Sequence, residues 1–143
     1  MAGTNTVLVT GGAGYIGSHT AKALRLAGYR VVIYDNLSAG HRDVALGAPL
    51  IEADIRDVDA VRRALRDSGA SAVIHFAAWL AVAESVCDPI GYYRNNVGGA
   101  LATLEAMAAE RCRHFVFSST CAVYGEPRET PQPSGFPVKP QKT

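Results

Sequence analysis

Val7-Leu8-Val9-Thr10 runs without a break into Gly11-Gly12-Ala13-Gly14-Tyr15-Ile16-Gly17. The first four residues read as a buried strand, glycines recur at 11, 14 and 17, and a helix-like pattern follows at once. This is the layout of a phosphate-binding turn, and Gly12-x-Gly14-x-x-Gly17 also overlays the dinucleotide fingerprint. Missing side chains let the chain turn tightly, let its backbone approach a pyrophosphate and let the helix pack close to the strand. The helix N-terminus then offers unpaired N–H groups and partial positive charge to the phosphates.

Working outward, Ile16, Thr20, Ala23, Leu24 and Ala27 recur at helical spacing, which predicts the buried face of a helix ending at Gly28. Arg30-Val31-Val32-Ile33-Tyr34-Asp35 is nearly all apolar rather than alternating, as in a parallel strand covered on both faces. A polar loop from Asn36 to Pro49 leads to a short strand over 50–54, and a helix is predicted from Asp57 with Val61, Ala64 and Leu65 inward. Ala72-Val73-Ile74-His75-Phe76 reads as a fourth strand. Asp88-Pro89 places an N-cap before a proline at the first helical position, opening the longest helix, 88–111. Tyr93, Val97, Ala100, Leu101, Leu104 and Met107 keep its period, and His114-Phe115-Val116-Phe117-Ser118 makes a fifth strand. The alternation predicts an α/β fold, a Rossmann-type doubly wound parallel sheet of about five strands. Residues 1–126 are expected to form this dinucleotide-binding Rossmann domain, and 127–143, with five of the seven prolines, read as a loop or tail.

The choice of NAD rests on Asp35. It ends the second strand about 20 residues past the glycine turn, where a carboxylate accepts hydrogen bonds from adenosine ribose hydroxyls. The 2′-phosphate of NADP would meet this charge and require Arg30 or Arg42 to compensate.

Composition narrows the partners. A chain of 143 residues, 48% hydrophobic, is one globular domain. Lys+Arg 14 against Asp+Glu 13, with no basic stretch interleaved with aromatics, argues against nucleic acid. The longest apolar stretch, 76–83, is far shorter than the roughly 18 residues of a membrane span, and no basic-then-apolar leader is seen. No membrane partner is expected, and the cytoplasm is the expected location. Cys87, Cys112 and Cys121 lack C-x-x-C spacing, so they read as reduced and partly buried, with neither a disulfide framework nor a metal site.

Several separate segments then carry a resemblance. Val7 to Ser18, Asp35-Asn36-Leu37-Ser38 with Gly40-His41-Arg42, His75-Phe76-Ala77-Ala78, Glu84-Ser85, Tyr92-Tyr93-x-Asn95-Asn96 and Phe117-Ser118-Ser119-Thr120-x-Ala122-Val123-Tyr124-Gly125 together resemble the UDP-glucose 4-epimerase family of extended short-chain dehydrogenases. The resemblance implies a nucleotide-sugar 4-epimerase in which NAD transiently oxidises C4 of the sugar. It implies that Tyr15 and Ile16, with Gly11, Gly14 and Gly17, line the pyrophosphate. Asp35, Asn36, Leu37, Ser38, Ala39 and Gly40 would line the adenosine ribose, and Asp54 and Ile55 the adenine. Phe76, Ala77, Ala78 and Leu80, within the run 76–80, and Asn95 would border the nicotinamide side. Thr120 matches the Ser/Thr that hydrogen-bonds the sugar hydroxyl and relays its proton to a tyrosine. Leu80 and Ala83 stand where some relatives carry lysine and glycine, and Cys121-Ala122 lack the acidic pair of sugar-nucleotide dehydratases. His19, His75, Tyr92 and Tyr93 read as core residues, and Glu84 as a hydrogen-bonding or helix-dipole carboxylate.

Thr120 needs a partner base, which the family supplies as a tyrosine with a lysine four residues on. The residues four after Tyr15, Tyr29, Tyr34, Tyr92, Tyr93 and Tyr124 are His19, Ile33, Ser38, Asn96, Val97 and Arg128. None is lysine. In the family pattern Pro137-Val138-Lys139-Pro140 leads towards Asn-Pro-Tyr-x-x-x-Lys, whereas here Gln141-Lys142-Thr143 follow. The expectation is the cofactor-binding half of an epimerase, with the C-terminal part of the fold missing and no turnover by itself. A UDP-sugar would be a partner only with that part supplied, and helix 88–111 is a surface for a homo-oligomer. A catalytically inactive NAD-binding module, and a truncated chain that folds poorly alone, stay open as alternatives.

Overall fold

The computed structural model describes residues 5–45 and 47–125. The boundary at 126 and the tail 127–143 lie outside the described residues. The elements run β1 (Thr6–Thr10), α1 (Tyr15–Leu26), β2 (Arg30–Asp35), a 3-10 turn (Arg42–Ala45), β3 (Leu50–Glu52), α2 (Val58–Ser68) and β4 (Ala72–His75). Then follow α3 (Val82–Cys87), α4 (Pro89–Tyr93), a π turn (Arg94–Gly98), α5 (Gly99–Ala109), β5 (His114–Phe117) and a 3-10 turn (Cys121–Tyr124).

The five strands form one sheet in the order β3-β2-β1-β4-β5, with every pairing parallel. The expected Rossmann-type doubly wound sheet is therefore present. Chain order reverses direction at β1, which opens a crevice at the carboxyl ends of β1 and β4, the usual ligand position in such sheets. Thr10 at that end lies beside Tyr34 of β2 and His75 of β4.

Alternate strand residues fall in two cores. Leu8, Val32, Tyr34 and Val73 pack with Val61 and Leu65 of α2 and with Ala106 and Met107 of α5. Val7, Val9, Val31 and Ile33 pack with Ala13 and Ala21 on the opposite face. Cover on both faces explains why these strands are apolar throughout rather than alternating. As predicted, α2 buries Val61, Ala64 and Leu65; its N-cap Asp57 accepts the Ala60 N–H at 2.9 Å. Asp88 likewise caps α4, accepting the Gly91 N–H at 2.9 Å ahead of Pro89.

Two helix faces differ from expectation. On α1 the buried residues are Gly17, Ser18 and Ala21, with Leu24 half-buried, while Ile16, Ala23 and Ala27 are exposed. The rotation is set by Gly17: a Cβ there would lie 2.2 Å from the Gly11 carbonyl oxygen, so the helix rests on the turn through this residue. On the long helix, Asn95, Gly99, Ala102, Thr103, Ala106 and Met107 turn inward. Tyr93, Val97, Leu101 and Leu104 are exposed instead. Small residues win the inner face because the helix lies close: a Cβ on Gly99 would meet Ile55 Cγ2 at 2.6 Å. The Thr103 hydroxyl is satisfied by the Gly99 carbonyl at 2.8 Å. His19 is exposed, with its ring edge-on to Tyr15, and Cys87 is exposed while Cys112 is buried. No described helix is long and apolar enough to cross a membrane.

Candidate functional site

At the crevice β1 leaves the sheet through Gly11, whose φ of +67° suits glycine. A Cβ on Gly11 would lie 2.6 Å from the Ala77 nitrogen, so the turn seats directly against the chain leaving β4. The Gly11 N–H donates to the Tyr34 carbonyl and the Phe76 N–H to the Thr10 carbonyl, both at 2.9 Å. These bonds tie the end of β1 to both neighbouring strands. Beneath them His75 is buried, Nδ1 2.9 Å from Thr10 Oγ1, and burial pushes its pKa down to about 4. It is the neutral core histidine expected. Gly14 is the N-cap of α1, and the Ser18 N–H, donating to the Gly14 carbonyl at 3.0 Å, follows first-turn N–H groups that have no i−4 acceptor. No acidic side chain occupies that turn, so no carboxylate of the helix itself competes with an anion for its positive end.

Asp35 knits the second wall to the turn. Its carboxylate oxygens accept the Ala13 N–H at 3.0 Å and the Leu37 N–H at 2.8 Å. The His41 N–H donates to the Ala13 carbonyl at 3.0 Å, and Asn36 Oδ1 accepts the Ser38 N–H at 3.1 Å. Loop 36–41 is thus folded back over the glycine turn. A carboxylate has about four acceptor sites, so Asp35 retains capacity for ligand hydroxyls. Of the two expected counter-charges, Arg42 is engaged by Glu52. Arg30 opens β2 at the other end, about 17 Å along the strand at its usual rise.

Together these walls enclose a cleft of about 470 Å³. Among the sequence-predicted residues, Gly11, Gly14, Tyr15, Ile16, Gly17, Asp35, Asn36, Ser38, Ala39, Gly40, Ile55, Phe76, Ala77, Ala78, Leu80 and Asn95 line it. Leu37, Asp54 and Thr120 do not. Leu37 adopts φ +58° and packs its side chain against the core. The Asp54 carboxylate faces Arg56, with Nε to Oδ1 at 2.9 Å and Nη2 to Oδ2 at 2.6 Å, and the guanidinium holds it below the usual carboxylate range. Tyr34 donates its hydroxyl to the Asp54 carbonyl at 2.8 Å, fixing the segment that presents Ile55. Thr120 is exposed, one residue beyond the cleft-lining Ser119, and its carbonyl accepts the Val123 N–H at 3.2 Å.

Trp79, inside the run 76–80, lines the cleft as well, as do Tyr34, Ala53, Ser118 and Ser119, to which no ligand role was given. The signal for the serines was their place at the carboxyl end of β5, beside the crevice. On the far wall Asn95 is buried, and its Nδ2 donates to Asn96 Oδ1 at 3.0 Å. Its Oδ1 has no partner among the described residues, a costly state for a buried acceptor unless a ligand or water supplies the donor. The unpaired N–H groups at α1 fit a pyrophosphate, Asp35 fits a ribose diol and Asn95 fits a donor group at the opposite end.

Comparison with known proteins identifies the family to which this fold and sequence are similar. The model of the NAD dependent epimerase/dehydratase family matches residues 7–143. UDP-glucose 4-epimerase of Rhizobium leguminosarum bv. trifolii is 51% identical over 131 residues, covering 92% of this chain and 40% of that protein. Among solved structures, UDP-glucose 4-epimerase from Brucella ovis in complex with NAD superposes with a TM-score of 0.87 at 47% identity, covering 96% of this chain and 42% of that one. The Bifidobacterium longum enzyme in complex with NAD+ and UDP gives a TM-score of 0.84 at 37% identity, covering 94% and 42%. The chain therefore spans about 40% of the length of the relatives it matches.

Proposed function

The chain belongs to the NAD dependent epimerase/dehydratase family, and we propose that it is the NAD-binding half of a nucleotide-sugar 4-epimerase of the UDP-glucose/UDP-galactose type. The observation that carries this reading is the junction of the glycine turn with Asp35, whose carboxylate accepts the Ala13 N–H. That junction sets a phosphate site and a diol acceptor side by side, with Asp35 presenting negative charge where a 2′-phosphate would lie. Gly11, Gly14, Tyr15, Ile16 and Gly17 hold the pyrophosphate, Asp35, Asn36, Ser38, Ala39 and Gly40 the adenosine ribose, and Ile55 the adenine. Phe76, Ala77, Ala78, Leu80 and Asn95 border the nicotinamide. Bound NAD supplies a reversible hydride acceptor for C4 of the sugar. Thr120, one residue beyond the cleft-lining Ser119, is the hydroxyl that meets the sugar once the remaining part of the protein is supplied.

The 143 residues contain no Tyr-x-x-x-Lys, and a threonine hydroxyl is too weak an acid to act as the base alone. The chain by itself therefore holds NAD without converting a UDP-sugar. Ile90, Tyr93, Val97, Leu101 and Leu104 form an exposed seam at spacings of three and four, which supports self-association through this helix. The test is to incubate the pure chain with NAD and UDP-galactose. NAD binding without UDP-glucose is expected, and turnover is expected on adding a polypeptide that carries the family's Tyr-x-x-x-Lys region. Sustained turnover by the chain alone, lost in Thr120→Ala, contradicts the assignment.

A further inference from the structure

The cleft wall after β4, residues 76–80, has no helix or strand structure, yet it borders the site over its whole length. Phe76 and Ala77 are tied to the end of β1 and the glycine turn, and beyond them one side chain holds the segment at Trp79. Asn96 Oδ1 accepts the Trp79 N–H at 2.8 Å while Asn96 Nδ2 donates to the Trp79 carbonyl at 3.1 Å. The amide thus mimics a strand rung, and its orientation is forced, since the oxygen must face an N–H and the nitrogen a carbonyl. The same Oδ1 accepts from Asn95 Nδ2 at 3.0 Å, so one group fixes both the loop and the buried asparagine opposite the glycine turn. Both asparagines lie in the π turn Arg94–Gly98, a widening of the helix that recurs at functional sites. The Trp79 ring stands edge-on to Tyr92 at 5.3 Å, completing the attachment.

We propose that Asn96 is a positioning residue for the cofactor: by clamping the Trp79 main chain and orienting Asn95, it sets the wall that receives the nicotinamide end. The inference rests on the NAD-binding reading above. It separates the two halves of the ligand, because the clamp does not touch the glycine turn or Asp35.

Trp79 is the only tryptophan in the sequence, so its fluorescence reports the loop directly. In the full chain, Asn96→Ala is expected to keep its far-UV circular dichroism and to raise acrylamide quenching of Trp79. It is expected to weaken NADH by about 10-fold, the scale of a lost pair of hydrogen bonds, while ADP-ribose, which lacks the nicotinamide, changes by less than about twofold. Asn96→Asp keeps the acceptor for the Trp79 N–H and loses the donor; its values are expected between the two, and it decides the case if Asn96→Ala does not fold. An unchanged ratio of NADH to ADP-ribose affinity, or unchanged quenching of Trp79, overturns the inference alone. If the unsubstituted chain binds neither ligand, the NAD-binding reading falls and the inference with it.

Discussion

Lowering the pH from about 7 to about 4.5 is expected to remove about 2 kcal/mol of folding stability through His75 alone. The ring is 2% exposed, stacks on Phe117 at 5.6 Å and is bonded to Thr10 Oγ1. Burial lowers its pKa from 6.5 to about 4. Between those values the unfolded chain binds a proton that the folded chain does not, so stability falls as pH falls. The contribution is complete above 6.5 and is lost progressively down to about 4, below which both states are protonated. At about 1.4 kcal/mol per pH unit the whole window amounts to about 3 kcal/mol, of which about 2 is reached by pH 4.5. His75→Gln keeps a donor and an acceptor for Thr10 and does not titrate. Urea unfolding of both proteins across this range isolates the term, because carboxylate contributions are common to the two. The unsubstituted chain is expected to lose about 2 kcal/mol more than the variant. Parallel pH dependences would refute the claim that burial holds this imidazole neutral.

Gly17→Ala drives a methyl into the Gly11 carbonyl; it is expected to destabilise by about 1–3 kcal/mol in thermal unfolding and to abolish ADP-ribose binding by calorimetry. Asp35→Ala is expected to raise the NAD dissociation constant about 10-fold. It also lowers Tm, because the Ala13 and Leu37 N–H groups lose their acceptor. Leu101→Asp, in the middle of the exposed seam, is expected to leave far-UV circular dichroism unchanged and to shift sedimentation velocity to the monomer; unaltered association would place the contact elsewhere.

Much of the fold was legible because its signals are local. The apolar runs of β1 and β2 announce strands covered twice, and the glycine turn announces where the crevice lies. Helix faces were not legible on α1 and α5. Their rotation is set by close backbone approach at Gly17 and Gly99, so the small residues are inside while Ile16, Val97 and Leu101 stay out. The π turn has no hydrophobic period to betray it. In the site, glycines and Asp35 could be read because their chemistry belongs to the main chain and to one strand end. Asp54 does not line the cleft, and Arg56, two residues on, engages its carboxylate. The clamp of Asn96 on Trp79 joins residues 17 apart through a main-chain contact, which side-chain patterning does not encode.

Calorimetric titration of the pure chain with NAD and, separately, NADP bears most directly on the central claim. One NAD per chain is expected, with NADP weaker by about 10-fold or more because its 2′-phosphate meets Asp35. No saturable NAD binding, or NADP bound as tightly as NAD, would contradict it.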